Sequence, residues 1–82
     1  MTMFDRENRL KCLTDLKKGQ SGIVFELETD EENILKKLMS VGILPGMLLK
    51  VIQTFPSYVF TVGYTQVAVD SEIASAIIVS TN

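Results

Sequence analysis

The sequence predicts a mainly β fold: a small five-stranded barrel with one amphipathic helix between its first and second strands and a short helical turn before its last. Three observations lead there. Short runs of β-branched and aromatic residues recur along the chain, each bounded by glycine, proline or serine. One segment, from Asp30 to Val41, repeats its apolar residues at helical spacing. With 82 residues, 46% of them hydrophobic and 22% charged, the chain has room for one thin core and no second domain.

Residues 1–10 are expected to form a flexible N-terminal extension to a domain spanning 11–82. Asp5, Arg6, Glu7 and Arg9 crowd this stretch and leave no apolar segment, which also argues against a secretory signal. Leu13, Leu16 and the turn Lys17-Lys18-Gly19-Gln20 then lead into the first strand. There Ile23, Phe25 and Leu27 alternate with Glu26 and Glu28, the pattern of a half-buried strand with the three apolar residues inward.

Thr29 with Glu32 three residues later reads as a capping box, in which each side chain satisfies a free backbone amide, so a helix is expected from about Asp30. At about 100° per residue, Ile34, Leu35, Leu38 and Val41 share one stripe, with Met39 at its edge. Lys36 and Lys37 suit the negative end of the helix dipole, and Gly42 supplies the left-handed conformation that closes a helix. Leu44-Pro45-Gly46-Met47 reads as a type II turn, because proline presets the first central φ and glycine accepts the positive second one. A meander of strands follows: Met47 to Phe55, Tyr58 to Val62, and Val67-Ala68-Val69. Ser71 is expected to cap a helical turn through Ile73 and Ala74 before a last strand over Ala76–Val79.

The inventory excludes most chemistry. With no histidine and one cysteine, Cys12, the chain lacks imidazole acid–base catalysis, His/Cys zinc sites and CxxC redox motifs, and no catalytic residue, metal site or cofactor is expected. A net charge of −2 makes nucleic acid an unsuitable partner. The longest apolar stretch, Val41 to Ile52, is broken by Gly42, Pro45, Gly46 and Lys50, so no insertion into a membrane is expected, and a lone thiol fits a reducing cytoplasm.

Several separated motifs in one order carry a family resemblance: Leu38-Met39-Ser40-Val41-Gly42-Ile43-Leu44-Pro45-Gly46, then Val62-Gly63, Val67-Ala68-Val69, Glu72-Ile73-Ala74 and Ile77-Ile78-Val79. The Leu13-Thr14-Asp15-Leu16 opening fits as well. Over about residues 11 to 80 the chain resembles the ferrous iron transport protein A (FeoA) family. The resemblance implies an SH3-like barrel and a small cytoplasmic accessory role in bacterial ferrous iron uptake, as an interaction module on the cytoplasmic part of the membrane permease FeoB. The alternative is a metal-sensing or iron(II)-binding domain, because the same barrel occurs as the C-terminal domain of iron-dependent repressors. The absence of a helix-turn-helix segment favours the stand-alone reading. Many family members carry a longer loop where this chain has Phe55-Pro56-Ser57-Tyr58.

Individual residues are then weighed within that frame. Leu38, Gly42, Pro45 and Gly46 read as structural: one helix core position, one helix terminator and one turn. Glu26, Glu28, Asp30, Glu31 and Glu32 read as a solvated, helix-capping acidic run, and Cys12 with Asp15 is too small a donor set for iron. Phe25, Phe55, Tyr58, Phe60 and Tyr64 read as core and scattered surface positions; without tryptophan they make a poor floor for a proline-peptide groove. An arginine finger is not expected, because Arg6 and Arg9 lie in the extension. Family spacing turns Leu49 and Val51 inward, leaving Leu48 and Ile52 outward around Lys50. These three, with Met39 and Met47, form the expected partner-binding surface.

Overall fold

The β-rich segments pair into one antiparallel sheet. The computed structural model describes residues 10–81, so the expected extension, with Arg6 and Arg9, lies outside the described residues except for Leu10. The strands are β1 (Leu10–Cys12), β2 (Ser21–Leu27), β3 (Leu48–Gln53), β4 (Tyr58–Val62), β5 (Thr65–Val69) and β6 (Ile77–Ser80). They lie in the order β1-β6-β2-β3-β4-β5. Helix α1 (Glu32–Ser40) joins β2 to β3, and a single turn, α2 (Ser71–Ala74), precedes β6.

Five strands were expected and six are present, in a sheet that stays open between β5 and β1. The added strand is β1. At three residues it is too short to display an alternation, and it exists because Leu10, Lys11 and Cys12 pair with Ser80, Val79 and Ile78. A 3-10 turn over Leu13–Asp15 follows it, in which Asp15 Oδ2 accepts the Cys12 N–H at 3.2 Å.

The inward face of β2 also differs from its sequence pattern. Val24 is buried, whereas Ile23 and Phe25 are exposed. The cause is a β-bulge: Val24 pairs with Val79, but Glu26 pairs with Ile78, so one extra residue, Phe25, enters β2 and shifts the alternation. After the bulge Leu27 turns inward and packs on the core. A second irregularity between Val51 and Gln53 accommodates Ile52 in β3. Between the two, Leu49 and Val51 are fully buried, as the spacing predicts.

Helix α1 starts at Glu32, two residues later than expected, and without a capping box. Thr29 Oγ1 accepts the Glu31 N–H at 3.1 Å, a contact inside the preceding turn, and is thereby unavailable to the first helical amides. The other end follows the sequence closely. The Gly42 N–H donates to Met39 O at 3.0 Å and the Ile43 N–H to Leu38 O at 3.1 Å, the paired bonds of a Schellman motif. This geometry needs Gly42 at φ +95°, and it sends Ile43 into the core beside Leu38. Gly46 takes φ +96° in the expected Pro45-Gly46 turn, closed by the Met47 N–H on Leu44 O at 3.1 Å. In α2 the cap is Asp70, one residue before the expected Ser71, with Oδ1 accepting the Ile73 N–H at 2.8 Å.

Phe60, Leu49, Val51, Val79 and Ile77 from the sheet meet Leu38, Ile43 and Leu13 in one core cluster. Helix α1 closes the β5 end of it: Ile34, Leu38 and Val41 face Val67, Val69 and Ile73 across a crevice of about 100 Å³.

Leu38 is 3% exposed, so Leu38→Ala is expected to cost about 2–5 kcal/mol of unfolding free energy, read by denaturant titration. An unchanged midpoint would detach α1 from the core. Gly42→Val forces a β-branched residue into the left-handed region and is expected to cost at least ~1 kcal/mol in the same measurement.

Candidate functional site

Strand pairing sets the expected surface on the outer face of the sheet. Leu48 and Lys50 alternate outward from β3, and Leu48 is 59% exposed while Ile52, in the β3 irregularity, is 38% exposed. These three expected residues come together.

The two methionines do not join them. Met47 has the inward phase of Leu49 and Val51, packs on the core, and places its Cε 3.2 Å from where a Cβ on Gly63 would stand. Met39 is exposed on α1, a helix that packs through Leu38 on the core side of the sheet at its β5 end. Leu38, Gly42, Pro45 and Gly46 occupy the structural positions expected of them.

Two residues absent from the expected set complete the surface. Ile23 is the register partner of Leu48 on one side and of Ser80 on the other, and Ser80 in turn partners Leu10. Directly opposed residues in an antiparallel ladder project to the same face, so Leu10, Ser80, Ile23 and Leu48 form one row across four strands. Its aliphatic members are 43%, 41% and 59% exposed in that order. Sequence alternation had turned Ile23 inward. The available signal is the unbroken apolar run Ile23-Val24-Phe25, where an alternation can change phase.

The row borders an open groove of about 540 Å³, whose walls include Lys11, Gln20, Ser21, Ile23, Leu48 and Ser80. The acidic run begins on β2 at Glu26, opposite Ile78, and continues through the β2–α1 connection. There Glu26 and Glu28 share a hydrogen bond that raises the Glu26 carboxyl above its ordinary value of 4.5, helped by partial loss of hydration and by the like charge of Glu28. Among the described residues no group of three or more carboxylates or thiols is disposed to hold a metal ion. Cys12 is a part-buried free thiol, with Asp15 turned onto its backbone amide. Phe60 is core, Tyr58 packs against it, and Phe55 and Tyr64 project from separate loops. No helix among the described residues is long and apolar enough to cross a membrane.

The sheet order, the helix between β2 and β3 and the Pro-Gly turn can be set beside known proteins. A family model, the FeoA domain, matches residues 11–81. The chain belongs to the FeoA family. Members of this family are small domains associated with ferrous iron transport. A crystal structure of the iron uptake regulatory protein FeoA is similar at 26% identity and TM-score 0.77, covering 87% of this chain and 96% of that one. The zinc-complexed FeoA of Stenotrophomonas maltophilia, described as a prokaryotic SH3 domain protein, is similar at 21% identity and TM-score 0.76, covering 85% of this chain and 89% of that one. The fold is therefore SH3-like, in the open six-stranded form described above. T. acidophilum IdeR has the same fold at 20% identity and TM-score 0.82, but this chain, 89% covered, spans only 34% of its length. No curated protein sequence matches the chain.

The Glu26–Glu28 pair gives a titration test. A raised carboxyl means that the fold disfavours ionised Glu26, so acidification from neutral pH through its midpoint removes an unfavourable term. By NMR, Glu26 is expected to titrate above 4.5 and to return toward that value in Glu28→Ala.

Proposed function

We propose that this FeoA-family chain is a non-catalytic accessory protein of bacterial ferrous iron uptake, acting in the cytoplasm as an interaction module on the FeoB permease. Membership in the family supports the iron-uptake part of this reading. The single observation that supports the docking part is the outer face of β3, where Leu48 and Ile52 stay exposed around Lys50 and nothing in the described chain covers them. An apolar patch held open on a rigid ladder costs a small domain solubility without adding to its core, and such patches mark interaction sites. Met39 and Met47, first grouped with that face, do not support it, because one stands on α1 and the other packs inward.

A second reading, a metal-sensing or iron(II)-binding domain, draws on the likeness to manganese-dependent transcriptional repressors. Anaerobic calorimetry with iron(II) separates the two: sub-micromolar affinity would favour the sensor. The test of the first reading is co-purification with the permease. Leu48→Lys combined with Ile52→Lys is expected to weaken that association at least tenfold, about 1.4 kcal/mol, with the thermal midpoint nearly unchanged. Loss of folding instead would make these residues core, and intact binding with intact folding would move the docking surface elsewhere.

A further inference from the structure

The outer-face row and the groove beside it have a chemistry that specifies more than an apolar patch. Resting on the reading of that face as a docking surface, we infer that the groove takes an acidic amphipathic helix from the partner protein.

Charge is the first ground. Lys11 lines the groove, Lys17 and Lys18 lead directly into its wall at Gly19, and Lys50 is the register partner of its Ser21. Lys36 and Lys37 lie on α1. Among the described residues no carboxylate lines the groove. Asp15, beside Leu16 in the sequence, is occupied with the Cys12 amide, and of the acidic run Glu26 stands on β2 opposite Ile78 while the other four members follow the strand. A chain of net charge −2 thus places Lys11 in the groove and Lys50 opposite its Ser21, and a partner with carboxylates flanking its apolar residues complements these two cations.

Spacing is the second ground. Neighbouring strands lie about 4.8 Å apart, so Leu10 stands about 10 Å from Ile23, across β6, and Ile23 about 5 Å from Leu48. A helix rising about 1.5 Å per residue brings positions i, i+7 and i+11 to one face at about 0, 10.5 and 16.5 Å, which matches the row when the helix lies across the strands. An extended peptide lying the same way would present one side chain to the sheet every ~6.8 Å, which fits the row less closely. A lipid surface is disfavoured because, among the described residues, the lining holds no aromatic side chain.

The probe is an Ala/Glu peptide of about fourteen residues with leucines at i, i+7 and i+11, titrated into the full-length ¹⁵N-labelled chain, beside a copy with lysine for every glutamate and anionic phosphatidylglycerol vesicles. Shifts are expected at Lys11, Ile23, Leu48 and Ser80, with the lysine copy bound at least tenfold more weakly. Lys11→Glu with Lys50→Glu is expected to reverse that preference while leaving the spectrum of the free protein folded. Equal binding of both peptides, shifts confined to the α1–β5 crevice, no shifts at millimolar peptide, or binding to vesicles alone would each overturn the inference. Permease association measured on the same variants separates the two readings. Permease binding retained by the double glutamate variant overturns the groove and leaves the accessory role standing. Peptide binding in a chain that never associates with the permease overturns the role and leaves the groove.

Discussion

The extra residue at Phe25 is the constraint on which the rest of the molecule depends. Strand β2 is hydrogen-bonded on both sides, to β6 and to β3, so its side-chain phase is imposed on the middle of the sheet. In an unbroken strand, Val24 and Leu27 would point to opposite faces, because their separation is odd. The bulge lets both reach the core and adds local twist, which helps the sheet curl around Phe60. It also leaves Ile23 on the outside, beside Leu48. One irregularity therefore completes the interior and creates the centre of the exterior row.

The segment between β2 and β3 turns that curl into a closed core. The Schellman ending of α1 delivers Ile43 beneath the helix, and the Pro45-Gly46 turn then reverses the chain so that β3 starts in register with β2. Backbone bonds from Gly46 N–H to Val24 O at 2.7 Å and from Val24 N–H to Met47 O at 2.8 Å tie this turn to β2 at the residue before the bulge. The helix, the turn and the bulge thus meet around Val24. Leu48 follows Met47 at once, so the side chain at the end of the exterior row is fixed by the same contacts that seat the core.

Division of labour between the faces follows from these contacts. Inward residues of β3, β4 and β6 are close to fully buried and carry the folding free energy, whereas the exterior row keeps roughly half of each aliphatic side chain in water. Partly exposed residues contribute less to stability per side chain, so a surface for a partner can be tuned there without endangering the fold. Lys50 stands on that face, and five of the chain's ten carboxylates, from Glu26 on β2 to Glu32 at the start of α1, follow one another toward the β2–α1 connection.

Whereas the first turns of both helices are capped differently because Thr29 and Asp70 bond other nearby amides, the chain by itself determined the boundaries of β4, the Pro45-Gly46 turn, the Gly42 helix terminus and the amphipathic face of α1. These depend on φ preferences and on periodicity within one element, which a few consecutive residues encode. The FeoA motifs were legible for the same reason, being largely turn and terminus residues at set spacings. Only the tertiary structure decided the existence of β1, the phase of β2 and the grouping of Ile23 and Leu10 with Leu48 in place of the two methionines. Each of those is a statement about which strand lies beside which and in what register. Residues far apart in sequence settle that by pairing their backbone groups and filling one core together, and no local pattern in Leu10–Cys12 or Ile23–Leu27 records the outcome.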